Sequence, residues 1–193
     1  MAVGHIPNGV AQCAPALLMP AYKISGRRQP AEESHMKMPL HIRPLARDDY
    51  RAVGRIFFYA IHEGTKGIYS DQQRRAWGSE AIELDRWKAR LDHLNGFIAE
   101  INHEPVGFFT IDREGYLDLA FVLPSVARMG VGQALLKNVE QWAKDNGATQ
   151  LTTDASLVAW PFFLKNGWHV TNEEHVERNG VTLTRYKMQK SVR

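Results

Sequence analysis

Cysteine is almost missing from this chain of 193 residues. The single one, Cys13, excludes an intramolecular disulfide and a four-cysteine zinc site. No apolar run reaches the roughly 18 residues that a membrane-crossing helix needs, so no membrane partner is expected. A strong excess of charge is missing too. The formal net charge of +3 is too mild and too evenly spread to argue for nucleic acid. The eight histidines form neither an HExxH nor a His–Cys cluster, so no metal is expected. What is present is globular: 44% apolar and 23% charged residues, enough for a core without staples.

Proline divides the chain. Five of the nine prolines, Pro7, Pro15, Pro20, Pro30 and Pro39, fall at its start, where no helical or alternating period persists. Residues 1–38 read as a poorly ordered extension and 39–193 as the folded domain. The extension contributes +2 through Lys23, Arg27, Arg28 and Lys37 against Glu32 and Glu33, which leaves the domain nearly neutral. Its short apolar run from Ala14 to Met19 is broken by proline and preceded by no basic residue, so a plain extension outranks a targeting signal. Met36 and Met38 are alternative starts. Cys13 reads as an incidental thiol, since nothing nearby would lower its pKa. A cytoplasmic location is expected.

From Leu40 the pattern alternates. Leu40–Pro44 reads as a strand, and Asp48 to His62 as a helix carrying Val53, Ile56, Phe57, Ala60 and Ile61 on one side. Ser70 suits the cap of a helix that includes Trp77, and Ser79 to His93 predicts another, through Ile82, Leu84, Trp87 and Leu91. Gly96–Ile101 and Val106–Ile111 flank a turn at Asn102 to Pro105, and Tyr116–Leu123 follows the turn at Gly115. A long helix carries Val131, Leu135, Val139, Trp142 and Ala143, and Gly147 ends it. Strand Gln150–Thr153, a short helix over 157–165 and strands Trp168–Thr171 and Val181–Lys190 close the domain. Hairpins followed by a strand–helix–strand unit predict a mixed α/β (α+β) sheet with helices on both faces.

The most informative segment is Val126 to Leu136, where Gly130 and Gly132 sit between a strand and a helix. Amide groups in a first helical turn have no internal partner, and the dipole adds partial positive charge. Glycine lets a phosphate reach that bare backbone, and Arg128 adds a full charge. Two glycines at such a junction are more often only a tight turn. No Gly-Lys-Ser/Thr follows, which excludes a P-loop, and Leu135 stands where the dinucleotide-binding fingerprint needs its third glycine.

Gly130 and Gly132 match the glycines of the acetyl-CoA motif Gln/Arg-x-x-Gly-x-Gly/Ala, and Thr153 to Trp168 is similar to the block (Asn/Ser)-x-x-Ala-x-x-Phe-Tyr-x-x-x-Gly-Phe. On these two blocks, in order and at the right spacing, the chain resembles the GNAT superfamily of N-acetyltransferases from about Leu40 to Lys190. Tyr69-Ser70, Gln73, Trp77, Arg86-Trp87, Pro105 to Phe108, Asp118 and Val176 to Gly180 resemble its small bacterial YafP-like branch. Two positions depart. Ala127 holds the Gln/Arg place, with the basic side chain one residue later at Arg128. Phe163 holds the place of the tyrosine that often protonates the leaving thiolate.

The resemblance implies a mostly antiparallel sheet of six to seven strands with a splayed central pair. It implies acetyl-CoA as co-substrate, with no metal, and a small-molecule or protein amine as acceptor; dimers are common among relatives, so a homodimer is among the assemblies it allows. It carries the pantetheine-pairing role to Phe121, Val122 and Leu123, with the Val122 N–H toward the thioester oxygen. The phosphate role falls to Arg128, Met129, Gly130, Val131, Gly132, Gln133 and Ala134, and further contacts to Ser156, Phe162 and Phe163. Acceptor recognition falls to the segment with His62, Glu63, Tyr69 and Trp77; Glu63 and Asp71 suit a cationic amine, though solvated helix-end charges explain them as well. The amine must lose a proton before attack. Asp118 is the first choice of base, directly or through water, against a merely structural carboxylate; Glu114 is second. Tyr116 and Tyr69 are the candidate acids, against packing roles. Strand alternation sets Tyr116, Asp118 and Ala120 on one face and Leu117, Leu119 and Phe121 on the other. The lone cysteine argues for direct transfer. A non-catalytic acyl-CoA sensor on the same fold, and a phosphate loop for another nucleotide, are the competing readings.

Overall fold

The computed structural model describes residues 39–192, so the extension expected over 1–38, with Cys13, lies outside the described residues. Seven strands form one sheet: β1 (Leu40–Pro44), β2 (Asn95–Ile101), β3 (Glu104–Ile111), β4 (Tyr116–Val122), β5 (Gln150–Ser156), β6 (His169–Arg178) and β7 (Val181–Ser191). Their spatial order is β1-β2-β3-β4-β5-β7-β6, and only the β4–β5 pair is parallel. Five helices join them: α1 (Tyr50–His62), α2 (Asp71–Gly78), α3 (Leu84–Leu91), α4 (Val131–Asp145) and α5 (Trp160–Lys165).

The apolar periods place the helices. In α4, Val131, Leu135, Leu136, Val139 and Ala143 are buried against Phe109, Leu151 and Met188 of the sheet. On the opposite face, Val53 and Ile56 of α1 and Trp87 and Leu91 of α3 pack on Ile98, Phe108 and Leu119. The sheet therefore has a core on each side, as the sequence predicts. Ser70 caps α2 through its hydroxyl, which accepts from the Gln73 N–H, while the Gln73 side chain returns to the Ser70 N–H.

Several expectations need correction. The helix expected from Ser79 starts only at Leu84: Ser79 takes φ 59°, a left-handed conformation in which its hydroxyl bonds the Gly78 and Ala81 carbonyls. The β2–β3 turn is two residues, Asn102 and His103, both at positive φ, rather than four. Strand β5 runs three residues beyond Thr153, and β6 runs on to Arg178.

The correction that matters most is in β4. Its register with β3 shifts between Thr110 and Ile111, so that Asp118 has no opposite residue. The Thr110 hydroxyl fills the gap by accepting from the Leu119 N–H at 3.1 Å. This is a β-bulge, and it resets the alternation. Leu117 and Ala120 pack with the α4 side, whereas Leu119 and Phe121 pack with α1 and α3. Strict alternation had put Leu117 with Leu119, and Ala120 with Asp118.

Gly115, just before β4, has φ +88°, and its carbonyl accepts from the Thr152 N–H of β5. A Cβ there would stand 2.6 Å from the Gln150 carbonyl oxygen. Gly115→Ala is expected to cost about 1–3 kcal/mol from backbone strain alone. The readout is a lower urea midpoint, and an unchanged midpoint would refute this.

Candidate active site

Strands β4 and β5 pair at only two positions, Tyr116 with Thr152 and Leu117 with Thr153. The Thr153 hydroxyl closes this short ladder by donating to the Leu117 carbonyl at 2.8 Å. Beyond it the strands diverge. The Leu123 N–H donates to the Val106 carbonyl of β3. Alternation along an antiparallel pair then turns Phe121 toward β3 as well, and turns the backbone groups of Ala120 and Val122 toward the opening. Of the three residues assigned to pantetheine, Val122 therefore presents its N–H and C=O to the gap, Phe121 faces β3, and Leu123 gives its N–H to β3 and its carbonyl to the Val126 N–H.

The glycine loop lies at the end of the same strand. A 3-10 turn at Pro124–Val126 precedes it, and Arg128 and Gly130 both take positive φ, 66° and 84°. Gly130 caps α4 without a side chain, and the helical ladder starts with the Ala134 N–H donating to the Gly130 carbonyl. The amides of Val131, Gly132 and Gln133 thus lie in the unpaired first turn. A Cβ on Gly130 would meet no heavy atom within 4 Å, so its conformation rather than crowding calls for glycine, and the space over the helix end is open. Gly132 sits against the Phe162 ring, 3.4 Å from where its Cβ would be. Arg128 and Met129 are exposed, and Arg128 makes no ion pair among the described residues. Open amides, a helix dipole and a free guanidinium suit a phosphate-bearing ligand.

A cavity of about 160 Å³ lies in the strand opening, walled by Phe57, Arg86 and Arg90 from α1 and α3 and by Ala120, Ala155 and Phe163 from the α4 side. Tyr116 and Asp118 of β4 face Asp154 of β5 across it. The Tyr116 hydroxyl donates to Asp154 Oδ2 at 3.2 Å, and Arg185 reaches the same oxygen at 3.0 Å. Burial, with the nearby charges of Asp154 and Asp118, pushes the Tyr116 phenol up to about 12. Asp118 stands at the bulge, 36% exposed, with Oδ2 held by Arg90 at 2.5 Å. Tyr69 lies beneath, almost wholly buried. Its hydroxyl accepts from the Leu157 N–H at 2.9 Å and donates to the Thr184 carbonyl at 3.3 Å. Burial raises its pKa, so it stays protonated through neutral pH. Ser156 is beside it, its hydroxyl accepting from the Ala159 N–H. Phe163 reaches the cavity wall from the core, edge-on to Trp168 at 5.0 Å between ring centroids, and brings no hydroxyl.

Two of the four residues assigned to acceptor recognition line this cavity: Tyr69, and Trp77, which packs on Tyr69 and Phe121. The other two do not. His62 stacks on Phe58 and bonds the Ser79 carbonyl, and Glu63 pairs with Lys66 at the surface. Asp71 likewise pairs with Arg74, and Glu114 sits exposed in its turn. Sequence reasoning missed Asp154, Arg185, Arg90 and Arg178, all on the cavity wall. Stopping β5 at Thr153 hid Asp154; alternation continued to Ser156 sets Thr152, Asp154 and Ser156 on one face. Among the described residues no group of three His, Cys, Asp or Glu side chains is arranged to hold a metal ion, and no helix is long and apolar enough to cross a membrane.

A family model described as an acetyltransferase (GNAT) domain matches residues 65–190. The chain is 36% identical to the uncharacterized N-acetyltransferase YafP of Escherichia coli strain K12, over 77% of this chain and 94% of that protein. The crystal structure of a GCN5-related N-acetyltransferase from Rhodopseudomonas palustris superposes with a TM-score of 0.75 at 34% identity, covering 81% of this chain and 99% of that one. The Thermoplasma acidophilum PaiA N-acetyltransferase, solved in complex with coenzyme A, shares the fold at a TM-score of 0.66 and 19% identity, over 80% and 99% of the two chains.

Proposed function

This chain belongs to the GNAT acetyltransferase family, and from that premise we propose that it moves an acetyl group from acetyl-CoA to a primary amine by direct attack within a ternary complex. The observation that carries the reading is the opening between β4 and β5. It sets free backbone groups of β4 beside the open start of α4 on one side and two carboxylates on the other. Relatives named as N-acetyltransferases favour the enzyme over a non-catalytic acyl-CoA module.

The open cradle at Gly130 fits the phosphates of the co-substrate, with Arg128 and the first-turn amides of α4 as its donors. Bound there, acetyl-CoA supplies an activated thioester. Val122 offers its N–H to the carbonyl oxygen where negative charge grows. Ser156 lies across the gap as a second polar contact. Asp118 holds the acceptor amine and takes its proton, directly or through a water, using the oxygen that Arg90 leaves free. Tyr69 is the acid for the departing thiolate in place of Phe163. Its proton rests on the neutral Thr184 carbonyl, whereas that of Tyr116 rests on the Asp154 carboxylate.

The test is release of free thiol from acetyl-CoA that requires both the protein and an amine. Binding of acetyl-CoA with no release across a broad amine panel would sink the catalytic reading. Tyr69→Phe is expected to lower kcat by about 10²-fold, the lower end for a positioned acid. Its melting temperature must be followed in parallel, because the Leu157 N–H loses an acceptor. An unchanged kcat would remove Tyr69 from the chemistry.

A further inference from the structure

We infer that the acceptor amine carries a carboxylate on a compact apolar body, as an apolar amino acid does, and is not a polycation. The inference rests on the acetyltransfer reading above and deepens it. The cavity wall holds four guanidinium groups, Arg86, Arg90, Arg178 and Arg185, against two carboxylates, Asp118 and Asp154. Both carboxylates already bear a guanidinium, Asp118 from Arg90 and Asp154 from Arg185, which also pairs with Glu174. Arg86 reaches Glu83 only through an exposed pair one helical turn away, which is worth little. Arg178 makes no ion pair among the described residues. It is the last residue of β6, next to a tight turn at Asn179 and Gly180, both at positive φ, so the hairpin fixes its backbone at the cavity rim.

A polycationic acceptor would therefore meet guanidiniums before carboxylates. Glu63 and Asp71, the acidic residues best placed in the sequence to attract one, are not on the cavity wall. A planar guanidinium fork matches a carboxylate in two parallel hydrogen bonds. The rest of the wall is aromatic. Phe57, Trp77 and Phe121 form a packed group, with Phe57 and Phe121 at 4.9 Å and Trp77 and Phe121 at 6.1 Å between ring centroids. At about 160 Å³, shared with the thioester end of the co-substrate, the cavity favours a compact acceptor. Amine toward Asp118, carboxylate toward Arg178 and side chain on the aromatic group account for all three parts of the wall.

The experiment compares phenylalanine, phenylalaninamide and phenethylamine as acceptors at saturating acetyl-CoA, with a polycationic aminosugar as a fourth. Phenylalanine is expected to lead in kcat/KM by about ten- to hundredfold, the worth of a hydrogen bond to a charged group. The amide would lead instead on basicity alone, because its amine deprotonates more easily. Arg178→Gln is expected to erase most of the phenylalanine advantage through KM. Preference for the amide, the simple amine or the aminosugar overturns the inference, and so does an advantage that survives Arg178→Gln. Tryptophan fluorescence reads the cavity without chemistry, as the part of the signal of the five tryptophans that Trp77→Phe removes. Quenching by phenylacetate and not by phenethylamine supports the inference even where no amine turns over, and the reverse overturns it. Absence of thiol release with every amine, by contrast, overturns the acetyltransfer reading and leaves the fluorescence to decide this one.

Discussion

Acetyl-CoA at a hundredfold its dissociation constant should raise the unfolding midpoint by about 5–10 °C, and Gly130→Trp should abolish that rise. The first figure follows from linkage: about 2.7 kcal/mol of stabilisation at that excess, read through the unfolding entropy of a domain this size. The second follows from geometry. Gly130 holds φ +84° and nothing lies within 4 Å of where its Cβ would be. An indole there meets no core and is expected to cost about 1–2 kcal/mol of left-handed strain. It does, however, project into the space over the first-turn amides of α4. Gly130→Asn separates the two effects, since asparagine tolerates the left-handed region and is small. It should keep most of the ligand-induced rise, while Arg128→Ala keeps the backbone cradle and loses one charge. A full rise in a folded Gly130→Trp variant would move the phosphate site off this loop.

That loop was legible because its signal is local. Two glycines at a strand–helix junction say where backbone amides are bare, whatever packs around them. The helical faces of α1 and α4 were equally plain, since period and burial are one statement in an amphipathic helix. The chemistry of the cavity was less legible, for reasons that lie in single residues. Asp118 could be picked out, because a charged residue in a central strand needs a reason. Its bulge could not, because a bulge is set by how β3 and β4 match in length, here through the Thr110 hydroxyl. Arg90 of α3 is far in sequence from Arg178 and Arg185 of the β6–β7 hairpin, and each alone reads as a solvated surface charge. Only the fold shows that they meet. His62 and Glu63 failed the other way. They fall in the segment assigned to the acceptor, but His62, at the end of α1, bonds the Ser79 carbonyl, and Glu63, just past it, pairs with Lys66.

Asp118→Asn should lower kcat/KM by about 10²–10⁴-fold at neutral pH. Asparagine keeps the shape of the side chain and an oxygen for Arg90, so the wall of the cavity stays in place. What is lost is a site for the amine's proton. A purely structural role predicts otherwise: a half-exposed ion pair contributes at most about 1 kcal/mol, so the substitution would shift stability slightly and the rate hardly at all. The pH dependence separates the cases further. If Asp118 removes a proton from the bound ammonium, the deficit should shrink as pH rises toward the amine's own pKa, where neutral amine arrives without help. Tyr116 does not confuse that comparison. Burial and the charges of Asp154 and Asp118 disfavour its phenolate and raise its pKa to about 12, so it stays neutral throughout the range between pH 6 and 10. Asp154→Asn is the companion variant. It keeps an oxygen for the Tyr116 hydroxyl but removes the charge beside Arg185, which is left paired with Glu174 alone, so its effect should not fade with pH. A deficit in Asp118→Asn that is flat across that range would make Asp118 a positioning residue beside Arg90, and would shift the search for the base to Asp154 or to water.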